Sequence, residues 1–134
     1  MKSEKKQLCK IFNQHVKLIL KLLKRLSPDN NEFRIIYTIF KVVSAVDVGK
    51  PHRVFHKNLG IYKEYIEHEN EDFFLNKFVY TKSDKKIKLG RFFESLKSSW
   101  NSIDKTHKSI IWKETKQLVR ISEQILAIDT KQTV

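Results

Sequence analysis

The sequence predicts an all-α fold, a single-domain bundle of about five helices over residues 1–128 with a frayed C-terminal tail at 129–134. Three observations carry that expectation. Only three Gly and two Pro interrupt 134 residues, too few for a sandwich or barrel with many tight turns. The apolar side chains, 40% of the chain, recur at spacings of three and four, which is helical period. At this length one core suffices, because folding buries roughly two-thirds of the surface that the unfolded chain exposes.

The first helix is expected over residues 4–26. Leu8, Ile11, Phe12, Val16, Ile19, Leu22, Leu23 and Leu26 fall on one face, with His15 near its centre, and Lys6, Lys10, Lys17, Lys21 and Lys24 fall on the other. Ser27-Pro28-Asp29 reads as its end and as the cap and first turn of a second helix. That helix carries Phe33, Ile36, Ile39, Phe40, Val43 and Val46 inward and closes near Asp47, before Gly49 and Pro51.

From Pro51 a third helix presents Val54, Phe55, Leu59, Tyr62, Tyr65 and Ile66, weakened by Gly60. The acidic run at 64–72 reads as a solvated turn leading into a buried Phe73-Phe74-Leu75 anchor, and Asn76 to Lys86, without a clear period, as the longest loop. A fourth helix places Ile87, Phe92, Phe93, Leu96 and Trp100 inward. Asp104 then caps a fifth, running to Ile128 with Ile111, Trp112, Leu118, Val119, Ile121, Ile125 and Leu126 on an arc wide enough to predict a central position in the bundle.

Charge is the strongest functional signal. The net charge of +12 comes from 27 Lys and Arg against 15 Asp and Glu, a balance that attracts nucleic acid, acidic membranes or acidic proteins. Lys outnumbers Arg 22 to 5, which suits phosphate attraction better than bidentate base reading and is also what composition bias toward lysine would produce. The candidate polyanion-binding residues are Lys6, Lys10, Lys17, Lys21 and Lys24 of the first helix with Lys85, Lys86, Lys88 and Arg91, beside Lys82. Such a cluster binds without sequence preference, since no Asn, Gln or Arg stands at base-reading spacing.

Other chemistry finds little support. The single cysteine, Cys9, excludes an intramolecular disulfide and no Asn-x-Ser/Thr site occurs, so a reducing intracellular location is expected. The N-terminal residues are too polar for a signal peptide, and no apolar run is long enough for a transmembrane segment. His52 and His56 would share a helical face, but Arg53 stands where a zinc protease needs glutamate and no third ligand is evident, so both are expected to be solvated or capping residues. Glu67-His68-Glu69-Asn70-Glu71-Asp72 lacks the glycine and distal glutamate of a calcium loop. Lysines near Cys9 could lower its pKa, whereas His15 is expected to pack in the core bonded to a backbone carbonyl. No catalytic residues, metal or cofactor are predicted, and the chain is not expected to be an enzyme.

Two segments, Phe55-His56-Lys57 through Tyr62-Lys63 to Asp72-Phe73-Phe74-Leu75-Asn76 and Phe92-Phe93-Glu94-Ser95-Leu96 through Trp100 to Ile111-Trp112-Lys113, resemble a recurring pattern in small helical proteins of nucleocytoplasmic large DNA viruses. Glu114-Thr115 departs from it, standing where an aromatic and an apolar residue would continue the pattern. The resemblance implies a helical viral protein of uncharacterised function and carries over no catalytic residues; together with the basic face it leads to the expectation of a binding or assembly protein, partnered by nucleic acid, a virion component or a viral or host protein. The alternative is a module whose groove captures a partner helix, which requires an exposed apolar groove.

Overall fold

The computed structural model describes residues 3–78 and 89–133, the last two as backbone alone. It is all-α: six α-helices, five of them of seven residues or more, and no strand among the described residues. They are α1 (Ser3–Leu26), α2 (Asn31–Val46), α3 (Lys50–Leu59), α4 (Lys63–Glu67), α5 (Leu89–Trp100) and α6 (Lys105–Thr133).

The long helix α1 is the organiser. It packs along α6 and also meets α2 and α3, so the central position expected for the C-terminal helix belongs to α1. The reason lies in its arc. Besides Phe12, Leu22 and Leu23, it buries Cys9 and Leu20, which lets it face α6 on one side and α2 on the other. Ile11, expected inward, is 41% exposed because it sits beyond the edge of that arc.

Three core clusters result. Phe12 and Cys9 meet Leu118, Ile121 and Ile125 of α6, and Leu20 meets Ile36, Tyr37 and Phe40 of α2. The third brings Leu22, Leu23 and Phe33 against Trp100, Ile103 and Ile111. Two tryptophans meet where α5 leads into α6: Trp100 and Trp112 stand edge to face at 5.9 Å, and Phe74 lies 6.1 Å from Trp112.

Several boundaries differ from the sequence expectation, each for a local reason. Ser27 accepts a backbone bond from Asn30 across a proline turn, and the cap of α2 is Asn30, whose side chain accepts from the Phe33 N–H at 3.2 Å. Val46 is 84% exposed at the end of α2, where no neighbour reaches it. The glycine at 60 ends α3 rather than merely weakening it. A tight 3₁₀ turn follows over Gly60–Tyr62, and a Cβ at Gly60 would lie 2.7 Å from His56 Nδ1.

The tail is helical: α6 continues through Thr133, and Asp129, expected to lack an anchor, receives the Lys5 ammonium at 2.6 Å. Of the expected long loop, Asn76 and Lys77 belong to a π-helical turn (Phe73–Lys77), and residues 79–86 lie outside the described residues.

The acidic run is fastened as well as solvated. Glu69, at φ +50°, takes the left-handed position that stops the chain beyond α4, and Asn70 accepts from the Phe73 N–H at 2.9 Å. Trp100 Nε1 donates to Glu71 at 2.8 Å, and Lys116 and Arg120 of α6 pair with Glu69 at 2.5 Å and Glu67 at 3.8 Å. These acids thereby serve as the clasp between the α4 region and α6.

Candidate functional site

The predicted cationic residues divide into three groups. Lys6, Lys10, Lys17 and Lys21 are exposed on α1. At i, i+4, i+11 and i+15 they lie within about 60° of one another around the helix and span about 22 Å of its length. Among the described residues none of the four has a carboxylate within ion-pair distance, and Glu4 is the only acid on α1. The stripe is therefore uncompensated.

Lys24 departs from it. Half-buried at the crossing of α1 and α2, its ammonium lies 4.5 Å from the centroid of the Tyr37 ring, with Lys41 of α2 at 4.7 Å from the same ring. Two cations on one buried tyrosine extend the basic surface from α1 onto α2. Lys41 was not expected there, although Tyr37 and Lys41 are four apart on a helix and that spacing is a readable signal. Arg91 is exposed on α5, a separate helix, while Lys82, Lys85, Lys86 and Lys88 lie outside the described residues.

His15, on the side of α1 turned away from the stripe, bonds through Nδ1 to the Glu114 carboxylate of α6, a side-chain partner in place of the expected backbone carbonyl. The acidic clasp is held to that same helix, α6. Glu114 and the clasp acids Glu67 and Glu69 thus stand on or pair with α6, away from the lysine stripe.

Scans against protein families, curated proteins and solved structures find no match to this chain. No helix among the described residues is long and apolar enough to cross a membrane.

The remaining candidate groups are structural. His52, expected in solvent or at a cap, is buried: Nε2 sits 2.8 Å from Ser122 Oγ, and the ring meets Phe12 edge-on at 5.3 Å and His56 in a 6.1 Å stack. Burial, and secondarily the neighbouring His56, push its pKa down to about 4. An unfolded histidine takes up its proton near pH 6.5. Between those values the unfolded chain binds more protons than the folded one, so the stability that His52 contributes above pH 6.5 is lost as pH falls toward 4. The loss should be on the order of 2 kcal/mol by pH 4.5, read as a lower urea midpoint than at pH 7, and His52→Gln should flatten that dependence.

Cys9 is 1% exposed, and burial raises its thiol pKa against the opposing pull of Lys5 and Arg53, contrary to the activation expected from nearby lysines. Native protein should leave it unmodified by a disulfide reagent that titrates it at once in denaturant. Among the described residues, no three His, Cys, Asp or Glu side chains gather closely enough to hold a metal ion.

Proposed function

We propose that this chain is a non-enzymatic binding protein that engages nucleic-acid phosphates, without sequence preference, through the lysine stripe of α1. The observation that carries the reading is the exposed row of Lys6, Lys10, Lys17 and Lys21 on one helical flank, none of which has a carboxylate within ion-pair distance among the described residues. A stripe about 22 Å long faces roughly 13 phosphate charges of duplex along the same axis, so four simultaneous contacts are geometrically undemanding. Lysine suits this role as a point charge on a flexible stem, which adapts to backbone phosphates and reads no base.

The segments that resemble small helical proteins of large DNA viruses add to the proposal the expectation that the nucleic acid, or an acidic virion component, belongs to such a virus. Within the fold those segments pack the tryptophan junction and the Phe73-Phe74 turn. The helix-capture alternative would use the partly open apolar cavity between the helices as its groove.

The test is binding to a labelled random duplex over a salt series. Four phosphate contacts predict a logarithmic salt slope near −3.6, an affinity loss of roughly 100-fold between 50 and 200 mM. Absence of binding at low salt would leave the stripe as a solvated face and overturn the reading.

A further inference from the structure

The core holds a partly enclosed cavity of about 270 Å³. Leu20 and Phe40 of α1 and α2, Val54 of α3, Phe74 of the π-helical turn, Leu96 of α5 and Ile111 of α6 are among the side chains that line it. Protein interiors hold few voids larger than a water, and an apolar wall offers water no hydrogen-bond partners, so a space of this kind favours an apolar occupant.

Its wall defines what could enter. Among the described residues, the charged, amide and hydroxyl side chains in the lining are Asn58, Glu71, Lys97 and Thr115, and each is already engaged within the protein. Asn58 Nδ2 donates to the Val54 carbonyl at 2.8 Å and Thr115 Oγ1 to the Ile111 carbonyl at 2.7 Å. Glu71 accepts from Trp100, and the Lys97 ammonium donates to the Phe78 carbonyl at 2.8 Å. The two charged groups are of opposite sign, so the wall carries no net demand for an ionic head group. Everything else that the described residues present to the space is aliphatic or aromatic.

We infer that this cavity is a binding site for a neutral, apolar, largely hydrocarbon molecule of roughly ten carbon atoms. The size follows from scale: a 150 Å³ apolar cavity admits benzene, and the present one is nearly twice as large. The aromatic share of the lining, with Phe12, Phe40, Phe92 and Trp100 among it, favours a flat aromatic ligand through edge-to-face contact. The site is independent of the lysine stripe, which lies on the outer flank of α1.

The experiment is titration of the full chain with naphthalene, followed by saturation-transfer NMR and thermal shift, with decanoate as the charged comparison. Naphthalene should bind one to one with a Kd on the order of 10 µM and raise the melting temperature. Val54→Phe and Leu96→Phe, each checked for native helicity, should weaken it at least tenfold by occupying the space. Lys17→Glu together with Lys21→Glu should leave it unchanged. No binding to the parent chain, or equal binding by both filled variants, would overturn the site. Tighter binding of decanoate than of naphthalene would overturn the neutral assignment.

Discussion

Replacing Lys6, Lys10, Lys17 and Lys21 together by glutamate is expected to lower affinity for a random duplex at least 100-fold at 50 mM salt and to abolish most of its salt dependence. Each lysine that contacts a phosphate releases close to one counterion, so losing four removes a slope of about 3.6. Repulsion by the new carboxylates deepens the loss, since the net charge falls from +12 to +4, two units per reversal. The fold should survive, because all four side chains are exposed and none has an acid partner to lose among the described residues. Lys24 is left in place because its contact with Tyr37 belongs to the α1–α2 crossing. A quadruple variant with native circular dichroism and parental affinity would remove these lysines from the account.

Phe12→Ala should destabilise the domain by about 3–5 kcal/mol, a large share of the roughly 5–15 kcal/mol available to a domain of this kind. Phe12 is fully buried and stands where α1, α3 and α6 converge, with His52 at 5.3 Å and Phe55 at 5.4 Å edge-on and Leu118 and Ile125 in its cluster. No single neighbour can collapse into the space it would vacate, so both the transfer loss and the cavity remain. A melting temperature lower by roughly 10–20 °C is the expected reading. Val46→Ala makes the contrast. The two residues both stand at inward positions of a helical pattern, yet Val46 is 84% exposed, and its truncation should change stability by less than about 0.5 kcal/mol.

That pair shows where sequence reasoning reached and where it stopped. Period 3.6 gives the direction in which a helix turns its apolar side, and the expected limits of the first helix, 4–26, lie within one residue of Ser3–Leu26. Period says nothing about how far a neighbour extends along that side. Val46 outruns its neighbours, Ile11 lies past the edge of the buried arc, and Cys9 and Leu20 are covered because α1 has partners on two flanks.

The candidate site divides along the same line. The stripe of Lys6, Lys10, Lys17 and Lys21 was legible because residues on one helix share a face by spacing alone. The places of Lys24 and Lys41 on Tyr37 were not, since a contact between two helices depends on their crossing. His52 departs from its expected place for a related reason: its position near a helix start suggests a cap, while its burial is set by Phe12 and by Ser122, seventy residues further along the chain.

By itself, then, the sequence determined the all-α class, the amphipathic course of the helices and the cationic flank of the first, because each depends on repulsion, solvation and periodicity within a short stretch of chain. Only the tertiary structure decided which helix is central, that the acidic turn clasps α6, that His52 is kept neutral and that an apolar cavity stands inside the bundle. Those features arise from how side chains distant in sequence fill, or fail to fill, a shared volume. Packing of that kind is a property of the assembled surfaces and has no period for a sequence to display.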